Sequence, residues 1–147
     1  MSNKKYALFM ILLLPALLLS ACGGAAEQEG PVALQVTGKV AEEKSWTEGQ
    51  VEAMDTMEAQ RENKSGELST YTGVSVMSVL EEAGLEDDAS SVVFVAGDGY
   101  EASVSVDELQ ACPDCILSFR NQGGFSAVMP GFSGKLQVKG VVELRVE

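Results

Sequence analysis

Three cysteines and one glycine-rich loop that ends in lysine are the features through which this chain of 147 residues could do chemistry. The chain contains no histidine, and it therefore lacks the commonest neutral metal ligand and the usual general base of enzyme active sites. A serine or cysteine nucleophile would have no imidazole to activate it. A hydrolase built on a Ser-His or Cys-His pair is thus excluded.

Cys112 and Cys115 form a Cys-Pro-Asp-Cys motif that permits three kinds of chemistry. A structural disulfide is the first prediction if the chain is exported, because oxidising compartments favour disulfides, although closing so short a loop adds little stability. A redox-active pair is the alternative, since this spacing is also typical of thiol oxidoreductases. Zinc binding is the weakest of the three, because a structural zinc site usually takes four ligands.

The loop of residues 130–135, with Lys139 shortly after it, could bind a small anion. Gly131 and Gly134 allow backbone N–H groups to approach a ligand closely, and Lys135 and Lys139 supply positive charge. The alternative is that the glycines only turn the chain and that both lysines are solvated. Both interpretations remain open at this point.

The N-terminal segment has the features of an export signal. Lys4 and Lys5 precede an apolar run over residues 6–19, which is shorter than the roughly 20 residues that a membrane-spanning helix needs. The run ends in the sequence LSAC, which resembles the cleavage site of bacterial lipoproteins, where the thiol of the cysteine accepts a diacylglycerol. We expect residues 1–21 to be removed and Cys22 to anchor the chain by lipid on the extracytoplasmic side of a bacterial cell membrane. The alternative is a secreted protein with a free thiol at the cut.

The charge and the length of the chain limit its possible partners and its number of domains. The full chain carries a formal charge of −12, and removal of a signal that contains lysines and no acidic residue would leave the mature protein more acidic still. This charge makes nucleic acid an unfavourable partner. Residues 22–31 lack apolar periodicity and predict a flexible linker, and residues 32–147 are long enough for one domain with a single core.

The best-defined elements lie in the middle of the chain. Apolar residues recur at helical spacing over residues 75–83, and Gly84 stands where a helix C-cap belongs. A β-branched run over residues 91–96 predicts a buried strand. The Gly-Asp-Gly sequence that follows predicts a tight turn, with positive φ angles, into a second strand over residues 100–106.

The flanking segments add strands and short helices. Residues 32–40 predict an opening strand, Thr47 with Gln50 predicts a capped helix, and residues 54–71 predict one strand with an exposed loop. Further elements are a single helical turn at 106–109 and strands at 116–119, at 125–129 and within 136–146. Because strands dominate and no strict β-α repeat occurs, the predicted class is α+β, a mixed β-sheet with a few short helices.

Four segments together resemble the molybdopterin-binding domain of the sulfite oxidase type. In chain order they are LQVTGKV with Trp46-Thr47, then YTGVSVMSVLEEAGL, then VVFVAGDGYEASVSVDEL, and finally VMPGFSGKLQVKGVVELRV. They span nearly the whole predicted domain, and their order and spacing are specific for this fold. The resemblance implies the same architecture here.

The resemblance also implies a cofactor. In that family the domain binds a pterin whose dithiolene sulfurs coordinate molybdenum, and a protein cysteine supplies one further sulfur ligand. That cysteine lies shortly before the motif that matches residues 71–74, and the corresponding segment here, 51–70, contains none. Met54 and Met57 offer only neutral thioethers. Molybdopterin or another pterin is thus the expected cofactor, and no molybdenum ligand is predicted.

The resemblance further predicts five cofactor-binding residues. The loop with Gly131, Gly134, Lys135 and Lys139 matches the family's segment that runs along the pterin and its phosphate, and Tyr100 matches a position near the cofactor. Tyr100 could equally be a strand aromatic that packs on the sheet. The family's pterin-facing histidine and its paired arginines have no counterpart in the sequence.

Three functions remain open from the sequence. The first is a membrane-tethered domain that binds a pterin-like or other small anionic ligand, with a role in redox chemistry. The second is an active molybdenum oxidoreductase that uses Cys112 or Cys115 as the metal ligand. The third is a non-catalytic interaction or scaffold domain. The sequence does not indicate a substrate or a redox partner protein.

Overall fold

The structure, a computed structural model, describes residues 30–147. The predicted export signal and Cys22, the predicted lipidation site, lie outside these residues, as does nearly all of the predicted linker. Within the described range, no helix is long and apolar enough to cross a membrane. The described residues contain nine strands and three α-helices, which are β1 Val32–Gly38, β2 Lys44–Thr47, α1 Glu48–Glu52, β3 Thr56–Glu62, β4 Leu68–Ser75, α2 Val76–Ala83, β5 Ser91–Ala96, β6 Glu101–Ser105, α3 Val106–Gln110, β7 Ile116–Phe119, β8 Phe125–Val128 and β9 Lys139–Val146.

The long strand β9 organises the sheet. Along one edge of β9, its first residues pair antiparallel with β8 and its later residues pair in parallel with β1. Along the other edge, β9 pairs antiparallel with β5. The sheet runs in the order β2-β1-β9-β8-β7-β4-β3, and β6 extends it beyond β5. This mixed sheet with a few short helices confirms the predicted α+β class.

The main hydrophobic core is formed by strand residues together with α2 and α3. Helix α2 buries the apolar residues that the helical spacing indicated, namely Val76, Val79, Leu80 and Ala83. Gly84 ends the helix in the left-handed conformation with φ of 76°, as a C-cap glycine does. Each fully buried valine or leucine contributes about 1.5–3 kcal/mol to folding.

A second, smaller cluster lies on the opposite face of β3, β4, β7 and β8. Ala59, Ile116 and Val128 are buried there, and Met57 and Tyr71 pack against them. Successive side chains of a strand point to opposite faces, so this part of the sheet is covered by the main core on one side only. The other side is free to form a site.

Residues 54–71 correct the prediction of a single strand, because they hold β3 and the first part of β4, paired in a hairpin. The side-chain oxygen of Asn63 holds the turn by accepting hydrogen bonds from the backbone N–H groups of Ser65, at 2.8 Å, and Glu67, at 3.0 Å. Strand β3 lies at the edge of the sheet and exposes most of its polar side chains. Its sequence therefore lacks the apolar pattern of a buried strand.

The predicted helix starts are confirmed. The Thr47 hydroxyl accepts a hydrogen bond from the Gln50 N–H, and the Gln50 side chain accepts one from the Thr47 N–H. Ser105 and Glu108 cap α3 in the same reciprocal way. These bonds satisfy N–H groups that the first turn of a helix leaves without partners.

Two details of the later chain differ from the sequence pattern. In the Gly-Asp-Gly turn, Gly99 has a positive φ of 88°, as predicted for the turn, whereas Gly97 does not. The closing segment is the single strand β9, which follows a short 3₁₀ turn at Gly134–Leu136, so the strand starts later than the predicted residue 136.

Candidate anion-binding site

A cleft lies over the smaller cluster, on the face of the sheet that the main core leaves uncovered. It has two lobes of about 580 and 910 Å³. Both lobes are lined by Arg61, Gln137 and Lys139, so they adjoin, and together they are named the basic cleft. Each lobe has the size of a typical small-molecule site.

Four cationic side chains line the basic cleft. Arg61 and Lys139 line both lobes, Arg120 lines the first and Lys64 lines the second. None of the four has a carboxylate partner at ion-pair distance within residues 30–147. Glu62 is the one acidic residue in the lining. The cleft is therefore electropositive in a strongly acidic protein.

Cations elsewhere in the described part of the chain are mostly paired. Lys39 contacts Asp88 at 3.1 Å, Lys44 contacts Glu82 at 3.9 Å, and Arg145 contacts Glu101 at 2.9 Å. The hydrogen bond to Glu101 raises the pKa of Arg145 above its ordinary value. Lys135 is the remaining cation without an ion pair in this range, and it lies in the loop next to the cleft.

Arg61 is the least satisfied of the cleft cations. Its Nε atom is buried and has no hydrogen-bond partner among the described residues. Its guanidinium carbon lies 5.8 Å from the centre of the Tyr71 ring, a cation–π contact that orients the group. A buried donor without an acceptor costs roughly 1–3 kcal/mol. Arg61 nevertheless lines both lobes, where its positive charge would attract an anion.

The turn after β7 places Arg120. The Arg120 N–H donates to the carbonyl oxygen of Gly124 at 3.1 Å, and the Gly124 N–H donates to Oε1 of Glu48 at 2.8 Å, which ties the turn to α1. Gly140 on β9 leaves room for the guanidinium, because a Cβ atom at that position would come within 3.4 Å of Nη1 of Arg120. The arginine side chain is thus held between two elements.

Gln137 fixes the wall of the cleft. Its Oε1 accepts a hydrogen bond from the Met129 N–H at 3.0 Å, and its Nε2 donates to the Met129 carbonyl oxygen at 2.6 Å. The Ala127 N–H donates to the Val138 carbonyl oxygen at 2.7 Å just beyond. These hydrogen bonds fix both ends of the loop of residues 130–136.

The five predicted cofactor-binding residues divide into two groups. Gly131, Gly134 and Lys139 line the second lobe of the basic cleft, and Lys139 also lines the first. Tyr100 and Lys135 line neither lobe. The Tyr100 hydroxyl donates to the carbonyl oxygen of Lys135 at 2.9 Å, so this tyrosine supports the loop from outside. The ligand-binding roles of all five remain predictions.

The sequence analysis did not identify Arg61, Lys64 or Arg120 as site residues. Arg61 and Lys64 belong to the edge hairpin that the pattern did not resolve, and Arg120 was assigned only to a chain reversal. One signal in the sequence could have identified them. Basic residues are few in this acidic chain, so each of them is a candidate for binding an anion if it has no acidic partner. The two arginines come together only through the pairing of β3, β4 and β7.

The cysteines do not belong to the basic cleft. Cys112 and Cys115 form a disulfide with their Cα atoms 5.5 Å apart, as the first prediction for this motif stated. Neither cysteine lines a lobe of the cleft: Cys112 lines a groove that shares Pro130, Gly131 and Phe132 with the second lobe, and Cys115 is buried, with 1% of its surface exposed. Within residues 30–147, no group of three or more cysteine, histidine, aspartate or glutamate residues could hold a metal ion. The cleft therefore contains no protein thiolate.

Comparisons with known proteins agree with this architecture. The family model described as the oxidoreductase molybdopterin binding domain matches residues 26–147. Among solved structures, the sulfane dehydrogenase SoxCD from Paracoccus pantotrophus matches with a TM-score of 0.64 and 19% sequence identity over 77% of this chain. The match covers 37% of that SoxCD chain, so the present chain spans little more than a third of its length. No curated protein matches the sequence.

Proposed function

Because the chain belongs to the oxidoreductase molybdopterin-binding domain family, we propose that its basic cleft binds a pterin-type ligand through a phosphate or a similar anionic group. The observation that carries this proposal is the gathering of four unpaired cations, Arg61, Lys64, Arg120 and Lys139, in one cleft of a chain with a formal charge of −12. Arginine presents a planar fork of donors that matches phosphate.

The anionic and ring ends of molybdopterin fit the residues present. Arg61 and Arg120 both line the first lobe, and phosphate oxygens can accept hydrogen bonds from guanidinium groups. Gly131 has a positive φ of 80°, and a Cβ atom at this position or at Gly134 would meet no other atom, so the backbone there is open to a ligand. Backbone donors and acceptors of this kind also suit the polar edge of a pterin ring.

The metal end of the family's cofactor finds no protein ligand. On the cleft face of β3, next to Arg61, lie Ala59 and Met57, which belong to the apolar cluster. The cysteines that could give a molybdenum centre a thiolate ligand are joined in the Cys112–Cys115 disulfide, and neither of them lines the cleft. We therefore propose that the ligand is held by ionic and hydrogen-bond contacts and not by a protein–metal bond.

The predicted lipid anchor completes the proposal. A chain moored through Cys22, with residues 22–31 as a flexible linker, would present the domain near a bacterial membrane on its extracytoplasmic side. Whether the bound ligand takes part in electron transfer depends on a partner protein of a redox chain. The family membership favours such a role.

Analysis of the natively produced protein tests the proposal. After denaturation we expect a fluorescent pterin and phosphorus at about one equivalent of each per chain, and molybdenum far below one equivalent. A protein without any pterin would support the scaffold or interaction function instead. Stoichiometric molybdenum would support the active oxidoreductase, with Cys112 or Cys115 as a ligand after reduction.

A further inference from the structure

A second site shares a loop with the basic cleft. Pro130, Gly131 and Phe132 line the second lobe of the cleft, and the same residues line a groove of about 390 Å³ next to Cys112. We propose that the Cys112–Cys115 disulfide is a thiol–disulfide exchange site, and that its reductant is a dithiol of the Cys-X-X-Cys class. This inference does not depend on the ligand of the cleft.

The two sulfurs differ in access. Cys115 is 1% exposed and belongs to the main hydrophobic core. Cys112 is partly exposed and lines the groove together with Ala111, Pro113 and Asp114. An attacking thiolate must reach a sulfur directly, so the groove offers Cys112 and not Cys115. Because of this difference in access, the incoming thiolate attacks Cys112, and Cys115 is the leaving group.

The backbone around the disulfide has its own hydrogen bonds. The Cys112 N–H donates to the Leu109 carbonyl oxygen at 3.0 Å, the Cys115 N–H donates to the Cys112 carbonyl oxygen at 3.3 Å, and the Val76 N–H donates to the Cys115 carbonyl oxygen at 3.0 Å. These bonds do not involve the sulfurs. A disulfide that closes so short a loop also restricts the unfolded chain little. We therefore expect the fold to survive reduction.

The reaction balances with the dithiol as the only co-reactant. One thiolate of the dithiol attacks Sγ of Cys112, the bond between the Cys112 and Cys115 sulfurs breaks, and the Cys115 thiolate leaves and takes a proton from solvent. The second thiolate of the dithiol then attacks the first dithiol sulfur, which is bonded to Cys112 in the mixed disulfide. The Cys112 thiolate leaves and takes a proton from solvent. The protein gains two electrons and two protons, and the dithiol becomes a disulfide.

The first test is the reduction of the full chain by dithiothreitol in native buffer. We follow the two thiols by mass spectrometry after alkylation, and the fold by circular dichroism. The proposal predicts full reduction without loss of the folded signal, at a rate that does not rise under mild denaturant. Reduction that begins only where the protein unfolds would overturn the proposal and leave a structural disulfide.

The second test compares the two single-cysteine variants. With glutathione disulfide as the probe, the Cys115→Ala variant should form its mixed disulfide at Cys112 at least about tenfold faster than the Cys112→Ala variant does at Cys115, because access controls the rate. Equal rates, or a faster reaction at Cys115, would contradict the assignment of Cys112. If Cys115→Ala does not fold, the reduction of the wild-type protein still decides the question.

Discussion

At the scale of single residues, Arg61 and Arg120 define the basic cleft, since both guanidinium groups stand in one depression without carboxylate partners within the described range. Neither could be assigned from the sequence, because the residues that bring them together are strand partners far away in the chain. Lys139 could be assigned, because it follows a glycine-rich loop within a recognisable segment. Residues whose neighbours are close in sequence are predictable, and residues that depend on strand pairing are not.

The two lysines of the predicted loop should behave differently. Lys139 lines both lobes of the cleft, whereas Lys135 lines neither. We expect Lys139→Ala to weaken the binding of neopterin phosphate by about 10-fold or more, because a hydrogen bond to a charged group contributes roughly 1.5–3 kcal/mol. Lys135→Ala is the matched control and should change the affinity less than about twofold. Isothermal titration calorimetry measures both.

The opposite order of the two lysines would show that the anion lies outside the basic cleft. It would place the ligand at the outer side of the loop, next to Tyr100. Lys39→Ala, which removes a lysine paired with Asp88 on the surface, reports the effect of net charge alone.

At the scale of elements, the cleft depends on the close approach of β4 to β7. The helix α2 and its C-cap could be predicted because helical spacing and a C-cap glycine are local signals. The hairpin of β3 and β4 could not, because an edge strand with polar side chains has no apolar pattern. The register of β4 on β7, which carries Tyr71 and Ser118 into the cleft, is fixed by contacts between distant segments.

Gly73 permits this approach. It lies opposite Ser118 in the pairing of β4 with β7, and a Cβ atom there would overlap the carbonyl oxygen of Leu117. We expect Gly73→Ala to lower the free energy of unfolding by about 1–3 kcal/mol or more, because backbone atoms must move to make room. Denaturation by urea measures the change. Gly49→Ala is the control, since a Cβ atom on that helical glycine meets no atom within 4 Å, and its stability should be unchanged or slightly higher.

The cap of α3 should make stability depend on pH. The side-chain hydrogen bond from Ser105, at 2.7 Å, and its backbone N–H lower the pKa of Glu108 below the ordinary value of 4.5. A carboxyl whose pKa is lowered by folding stabilises the protein above its unfolded pKa and loses this contribution as the pH falls through the folded value. The wild type should therefore exceed Glu108→Gln in stability at neutral pH, and the difference should shrink below pH 4.5.

Thermal unfolding at several pH values checks this dependence. Glu81→Gln is the control, because that exposed glutamate lies on α2 and its side chain makes no hydrogen bond within residues 30–147. A difference for Glu108→Gln that stays constant from neutral to acidic pH would contradict the role of its charge in the cap.

At the scale of the whole molecule, the protein is strongly acidic, and its residues 30–147 contain a cleft lined by four unpaired cations. The formal charge of −12 repels anions at long range, so binding of an anionic ligand relies on the short-range contacts of the cleft. The exposed face of the sheet forms the cleft, and the described residues supply cations for a phosphate but no thiolate for a metal. The fold class and the family followed from four sequence segments, whereas the charge pattern of the cleft emerged only from the assembled sheet.

The central claim is that the basic cleft recognises the phosphate of a pterin-type ligand. The most direct measurement is a calorimetric titration of the pterin-free protein with neopterin and with neopterin phosphate, in the wild type and in Arg61→Ala. We predict that the phosphate ester binds the wild type at least about 10-fold more tightly than neopterin, and that Arg61→Ala removes most of this preference. Equal affinities for the two ligands in the wild type, or a preference that survives in Arg61→Ala, would contradict the account.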